Sequence, residues 1–432
     1  MRWSKFVYKV PHNGGIIVLN TMNSAMISLD KDSYEALSNN LLNGTSDETL
    51  TTLVKMGFIV EDSFDEMGVF LQDSWSEWEK DDIVKVVLLS TTGCNFSCSY
   101  CYENGINRAL KLTEEMGETL LSYLSGLLQE HTTIKKVYIL LFGGEPTLNW
   151  ETVTVVAKNI MHMCESRNVE FASGIVTNGY LLDERKVEDL IDLKCDSIQI
   201  TLDGPKEVHD KRKYLFSGKG TFDTILRNMH GALKNGCVSA IDLRINVDIE
   251  NLDYISNLLD YLQLEFASNQ LNISIGIVSA TVKNNEYAPY GNAIPAEHLS
   301  TYLCELLELV SSHGFAIQDF YSFDGLCILK SKYSFALSPD GRIYRCLSMV
   351  GRESLSVGKL QDISSSDELA GFFTKDMYKP CVEKECEFLP LCHTGCKFDA
   401  LVEHGVMTQN SCKYDQYCSV NQFLMQRLDA TT

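Results

Sequence analysis

The chain runs to 432 residues, 45% of them apolar and 22% charged, with a formal net charge of −21. That length exceeds one ordinary domain and predicts about two or three units, and the composition excludes a disordered chain. The acidic balance excludes nucleic acid as the main partner, because phosphate binding needs clustered positive charge.

No apolar run is long enough to span a bilayer, and Met1–Lys9 lacks the basic-then-apolar profile of an export signal. A soluble, cytoplasmic protein with no membrane partner is expected. Short alternating runs open the chain at Phe6–Val10, Gly15–Asn20 and Ala25–Asp30. A helical stretch follows at Ser33–Leu42, then a second one, where Thr45 and Glu48 match a capping box. Gly57–Val60 reads as a closing strand. Residues 1–72 are thereby expected to form a winged-helix-like unit, followed by a polar linker at Gln72–Asp82.

From residue 83 strands and helices alternate. Ile83–Leu89, Val137–Phe142, Phe171–Val176, Ser197–Leu202, Ala240–Val247 and Ile273–Ser279 read as buried strands. Helical patterns fall at Glu114–Gln129, Trp150–Ser166, Glu184–Leu193, Phe222–Lys234, Tyr254–Leu264 and His298–Ser312. This spacing predicts βαβ units in an α/β fold, with a parallel sheet or partial (β/α)6 barrel over residues 83–315. Residues 320–432 break into short segments punctuated by Cys, Gly and Pro, with too little periodicity for a large core of their own.

Fifteen cysteines in a long chain without an export signal point to metal ligation or redox chemistry. Cys164, Cys195, Cys237 and Cys304 stand alone in helix or strand patterns and read as small buried side chains. The other eleven cluster. Cys94-Asn-Phe-Ser-Cys98-Ser-Tyr-Cys101 directly follows the first strand. Three thiolates at this spacing suit a four-iron cube with one iron left open, or a zinc ion whose fourth ligand lies elsewhere. Gly143-Gly144-Glu145-Pro146, Thr177-Asn178-Gly179 and Thr201-Leu202-Asp203-Gly204 end the second, third and fourth strands. Each alone is a turn; together they place chemistry on one face of a barrel.

The C-x3-C-x2-C motif with Tyr100 before its last cysteine, and Tyr102 just after it, resembles the radical S-adenosylmethionine (SAM) superfamily. The resemblance implies a 4Fe–4S cluster on Cys94, Cys98 and Cys101 whose open iron binds SAM. One-electron reduction, supplied by a flavodoxin- or ferredoxin-type donor, would release a 5′-deoxyadenosyl radical. Gly143, Gly144, Glu145 and Pro146, with Thr177, Asn178, Thr201, Asp203 and Tyr100, would then surround SAM, Glu145 accepting from its ammonium. His209-Asp210-Lys211-Arg212-Lys213 resembles a segment in which a basic residue follows His-Asp, and Arg212 and Lys213 compete for that place. Arg212 and Arg244 are candidates for the SAM carboxylate, with a structural salt bridge as the alternative for each.

Cys327, Cys346, Cys381, Cys386, Cys392, Cys396, Cys412 and Cys418 resemble the SPASM extension, which binds two auxiliary iron–sulfur clusters. The Gly341-x4-Cys346 turn and Cys386-x5-Cys392-x3-Cys396 match, while four residues separate Cys381 from Cys386 where the family usually has two. By resemblance Cys327, Cys346 and Cys396 hold the first auxiliary cluster. Cys381, Cys386 and Cys392 hold the second, closed by Cys412 or Cys418. Position 321 is Tyr, so the first cluster either keeps an open iron that would bind a substrate thiolate or takes a remote cysteine such as Cys418.

Two SPASM groups compete. Sulfatase maturases, which form formylglycine, carry a catalytic aspartate after the cysteine of the G-x4-C turn; here Leu347 and Ser348 stand there. Maturases of ribosomally made peptides form thioether or carbon–carbon crosslinks, or epimerise. Many begin with a small winged-helix-like domain that binds the precursor's leader by strand addition. Residues 1–72 suit that role, so a thioether-forming peptide maturase is expected. An iron–sulfur electron carrier is the non-enzymatic alternative, and it would have no use for the SAM-binding set.

Overall fold

A computed structural model describes residues 1–39, 47–79, 82–101, 103, 106, 109–283, 286–317, 327–363 and 374–430. Among them no helix is long and apolar enough to cross a membrane.

The alternation expected from residue 83 is present. Strands β1 (Ile83–Thr91), β2 (Lys136–Gly143), β3 (Glu170–Thr177), β4 (Cys195–Thr201), β5 (Ile241–Val247) and β6 (Leu271–Ile277) lie side by side in chain order, each pair parallel. Helices α1 (Glu114–Glu130), α2 (Trp150–Ser166), α3 (Glu184–Asp192), α4 (Phe222–Lys234), α5 (Ile255–Glu265) and α6 (Ala296–Ser312) follow the strands in turn. Thr113 caps α1 by accepting from the Met116 N–H, and Asp183 caps α3 from Lys186.

One face of the sheet meets the helices in a dry core that includes Val84, Val86, Leu88, Ile139, Ile198 and Ile245. The other face is divided. At β1 and β2 it is apolar, where Val87, Leu89 and Phe142 pack under Ile328, Tyr344, Met349 and Val350. At β4 to β6 the buried apolar positions alternate with half-buried polar ones: Ser197, Gln199 and Thr201; Asp242, Arg244 and Asn246; Asn272 and Ser274. Strand period places all eight on the face away from the helices. This half of the sheet's inner face is built to hold polar matter.

The C-terminal segment gains its order by extending this sheet. Phe335–Leu337 pairs parallel to β1, and Arg342–Tyr344 and Gly358–Lys359 continue antiparallel beyond it. Ala316–Ile317 lies parallel along the far edge, against β6. A region with little periodicity of its own thus borrows the edge of a finished sheet.

Near the N-terminus, Val7–His12, Gly15–Asn20 and Met26–Leu29 form a three-stranded antiparallel sheet, and Ile59–Val60 pairs with Arg2–Trp3. Ile16 and Val18 face Leu37, Leu53 and Phe58, while Ile17 and Val10 face Met425 on the C-terminal helix Tyr414–Ala430. The two ends of the chain therefore share one small sheet. The capping box expected at Thr45 lies outside the described residues.

The stretch expected as a linker is instead mostly helix, Glu66–Glu79. Met67, Phe70, Leu71, Trp75 and Trp78 recur at helical spacing and cover Phe6, Tyr378, Leu389 and the thiol-bearing Cys327, Cys381 and Cys386. The intervening Gln, Asp, Ser and Glu side chains masked that stripe in composition. Phe70, 3% exposed, has ring-centroid distances of 5.6 Å to Phe6, 6.1 Å to Tyr378 and 5.7 Å to His393. Phe70→Ala should therefore cost about 3–5 kcal/mol in urea unfolding and expose residues 66–79 to protease. A loss below about 1 kcal/mol would mean this aromatic joint does not hold the N-terminal unit in place.

Candidate active site

Because β1 to β5 are parallel, their C-terminal ends open on one edge, where loops converge. The loop after β1 carries Cys94, Cys98 and Cys101, all free thiols. Its base is gripped by the end of β2. The Gly144 N–H donates to the Thr91 carbonyl at 3.0 Å, and the Glu145 N–H to the Gly93 carbonyl at 2.9 Å. A Cβ on Gly143 would lie 2.2 Å from the Thr91 oxygen, and one on Gly144 would lie 2.4 Å from that of Gly93. Gly143 also holds φ at 138°, which only glycine adopts readily. The two glycines thus let the backbone of β2 lie directly against the root of the cysteine loop.

Glu145, fully buried, ties this edge together. Its Oε1 accepts from the Thr147 N–H (3.0 Å), Thr147 Oγ1 (2.6 Å) and Thr177 Oγ1 (2.7 Å), and its Oε2 from the Asn178 N–H (2.8 Å). Burial raises its pKa against the pull of these four donors. Oε2, with one donor, retains capacity for another. Pro146 accepts from Ser90 Oγ through its carbonyl (2.9 Å), and Asn178 Nδ2 donates to Asn95 Oδ1 (2.8 Å) inside the cysteine loop.

The Cys94 thiol is pushed up to about 12 by burial and by the negative charge of Glu145, Cys98 and Cys101, with the Phe96 N–H, 3.4 Å from its sulfur, opposing. Among the described residues no three His, Cys, Asp or Glu side chains are set to hold a single metal ion. A cube spreads its thiolates over separate irons, so its ligands need not converge on one point. Three half-buried thiols on one loop, with a buried ammonium nearby, fit a cluster better than a lone zinc ion.

That ammonium is Lys213. Its Nζ lies 3.4 Å from Tyr100 Oη. Burial disfavours its charge, but Tyr100, Cys98 and Asp203 outweigh burial and hold its pKa well above the usual value. Tyr100 donates to Asp203 and accepts from Asn246 Nδ2 (3.2 Å). Asp203, fully buried, also accepts from the Asn246 N–H (3.2 Å), and its carbonyl accepts from Asn251 Nδ2 (2.7 Å).

Arg212 is committed elsewhere, its fork donating to both oxygens of Asp248 at 2.9 and 2.8 Å and to Glu250 at 3.2 Å. Its guanidinium also lies 5.1 Å from the Tyr100 ring centroid. Of the two competitors after His-Asp, Lys213 is the one near Cys98. Lys213 stands four residues after His209, whose ring accepts from the Asp203 N–H (3.2 Å). Helical i, i+4 spacing was the available signal. Thr201 stands opposite Arg244 in the β4–β5 register. Arg244 donates from Nε to Asn246 Oδ1 (3.3 Å) and makes no ion pair among the described residues; burial lowers its pKa. It remains charged at any working pH.

The C-terminal cysteines form two groups. Cys346 is pushed up to about 12 by burial and by Cys327 and Cys396 beside it, with Ser348 opposing. Cys381 is raised by burial, then by Cys392 and Cys412; Cys386 is raised to about 11 by burial, with Cys381 and Cys412 among its neighbours. Asn410 Nδ2 donates to Cys381 at 3.6 Å. Cys418 keeps different company: Tyr8 Oη donates to its carbonyl at 3.2 Å, Tyr414 Oη donates to Glu387 at 2.8 Å, and its charged neighbours are Glu387 and Asp415.

Residues 88–262 match the sequence profile of the radical SAM superfamily. The chain contains a radical SAM domain. Fe-coproporphyrin III synthase of Methanosarcina barkeri is 28% identical over 191 residues, 44% of this chain but only 43% of that protein. The cysteine-type anaerobic sulfatase-maturating enzyme of Clostridium novyi is 22% identical over 338 residues, 71% of this chain and 86% of that one. Among solved structures, Streptococcus suis SuiB bound to precursor peptide SuiA covers 95% of this chain and 99% of its own, with TM-score 0.52 and 16% identity. SuiB has also been solved bound to S-adenosylmethionine. The architecture is thus the radical SAM fold with a Cys-rich C-terminal region, and SAM and iron–sulfur clusters are the cofactors of that superfamily.

Cys412→Ser should remove the iron of one auxiliary cluster from the anaerobically reconstituted protein, whereas Cys418→Ser should leave the iron content unchanged. Iron and sulfide analysis of the two variants checks this, and the reverse result would exchange the two cysteines.

Proposed function

We propose that this radical SAM enzyme matures a ribosomally made peptide by closing a thioether between a cysteine sulfur and a carbon of the same peptide. The observation that carries the reading is the grouping of Cys327, Cys346 and Cys396, whose thiols act on one another as a three-member set. Three ligands leave room for a substrate thiolate, and metal binding lowers a thiol's pKa. Further support comes from the small N-terminal sheet, whose Met26–Leu29 edge suits strand addition by a leader peptide. SuiB, similar over nearly the whole chain, has been captured with its precursor peptide.

In this reading Cys94, Cys98 and Cys101 hold the cluster that binds SAM. Bound there, SAM would supply radical chemistry able to take hydrogen from the peptide carbon. Oε2 of Glu145 receives the SAM ammonium, while Lys213, beside Cys98, meets its carboxylate. Thr177 and Asn178 hold Glu145 in place, and Tyr100, Thr201 and Asp203 line the remainder of the site. Cys381, Cys386, Cys392 and Cys412 hold the second auxiliary cluster. The carbon–sulfur bond forms with loss of one hydrogen atom from carbon and of one proton and one electron from the thiol, the electron passing to an iron–sulfur group.

Formylglycine formation is the second reading, favoured by the extended match to the sulfatase-maturating enzyme. Against it, Leu347 and Ser348 stand where such enzymes carry their aspartate, and Ser348 is spent on Cys346. Anaerobic incubation with a cysteine-containing precursor, SAM and reductant should give a product lighter by two hydrogen atoms, with its cysteine blocked to alkylation. An aldehyde at the cysteine position would instead establish the second reading. Changing Cys94, Cys98 and Cys101 together to Ala should abolish 5′-deoxyadenosine formation while auxiliary iron stays bound; persistent cleavage would refute the assignment of the first cluster.

A further inference from the structure

A hydrogen-bonded row crosses the inner face of the sheet, from the cysteine loop to β5. Lys213 Nζ lies 3.4 Å from Tyr100 Oη, Asn246 Nδ2 donates to the same oxygen at 3.2 Å, and Arg244 Nε donates to Asn246 Oδ1 at 3.3 Å. Lys213 stands at the cluster end, next to Cys98. Arg244 stands at the other end. The two cations are thus separated by a tyrosine and an asparagine, and one small anion held at the cluster cannot satisfy both.

Arg244 is held in a fixed pose. Its guanidinium lies over the Cα of Gly276 on β6, so close that a Cβ there would sit 2.1 to 2.3 Å from Nη2, Cζ and Nε. Asn246 fixes Nε, leaving the two Nη groups as a fork. No carboxylate meets that fork among the described residues. Asp203 is occupied by Tyr100 and the Asn246 N–H, and Asp242 by Ser197 Oγ (2.9 Å) and Asn272 Nδ2 (3.0 Å). Directly across the β5–β6 register from Arg244 stands Ser274, whose buried hydroxyl has no hydrogen-bond partner among the described residues. A buried hydroxyl left without a partner is costly, and a guanidinium fork next to a free O–H is the donor set a carboxylate takes.

We propose that Arg244 and Ser274, seated by Gly276, form a second anion subsite that binds a carboxylate side chain of the substrate, an aspartate or glutamate of the peptide next to the reacting residue. The assignment rests on the peptide reading above and moves Arg244 from the cofactor to the substrate. It also accounts for the polar half of the inner sheet face, which a buried apolar side chain would leave unsatisfied.

The test is equilibrium binding to the cluster-reconstituted, SAM-loaded full chain, using three probes: N-acetylaspartate, the peptide Ac-Cys-Gly-Asp-Gly-NH2, and the same peptide with Asn for Asp. The Asp peptide should bind about tenfold more tightly than the Asn peptide, the range of a charge-assisted bidentate pair. Arg244→Gln should erase that preference. Gly276→Ala, which displaces the guanidinium without removing it, should do the same and guards against misfolding of the first variant. Ser274→Ala should reduce the preference in part. If N-acetylaspartate binds through Arg244 but the peptide frame adds nothing, the anion subsite stands and the peptide reading falls. Equal binding of the Asp and Asn peptides, no Arg244-dependent binding of any probe, or a loss in Arg244→Gln that falls on SAM instead, overturns the proposal.

Discussion

The root of the cysteine loop rests on a backbone contact with no room for a side chain. Gly143 and Gly144 bring the end of β2 against the carbonyls of Thr91 and Gly93, and two N–H groups bond there. Everything chemical in the domain follows from that contact. It fixes where Cys94 leaves the sheet, and it delivers Glu145 into a fully buried position where Thr147, Thr177 and Asn178 can hold it. Asn178 then reaches back to Asn95 in the same loop. The site is therefore cross-braced between three strand ends before any cofactor arrives, which is what preorganisation requires of a radical enzyme that must exclude side reactions.

Much of this was legible in the sequence. The six expected strands and six expected helices of the domain lie within a few residues of their places, because parallel strands buried against helices read as strong Val, Ile and Leu runs. The motifs at the strand ends were visible for the same reason, as each follows directly on an unmistakable strand. The choice between Arg212 and Lys213 was legible only through the four-residue spacing of Lys213 from His209, since two adjacent basic residues are otherwise alike in sequence. The choice between Cys412 and Cys418 depended on tertiary placement: Cys412 lies near Cys381 and Cys386, and Cys418 under Tyr8 and Tyr414.

The helix Glu66–Glu79 is the clearest lesson. Its charged and amide side chains suggested a solvated connector, yet its apolar stripe closes over the Cys-rich region through Phe70, Trp75 and Trp78. Average composition hides a stripe that spacing reveals. The C-terminal region shows the converse: a segment with no usable period still becomes ordered, because Phe335–Leu337 can join an existing strand edge. Local pattern cannot report an edge that another part of the chain supplies.

The small N-terminal sheet has a consequence for how the chain is made. One of its faces is covered by helices only a few tens of residues further on, but the other is covered by Met425 near the opposite terminus. A nascent chain emerging from the ribosome can close the first face early, yet Val10 and Ile17 lack their cover until the helix that carries Met425 has been made. These strands are thus sheltered on that face only after the thiol-rich segment between them and Met425 has been made.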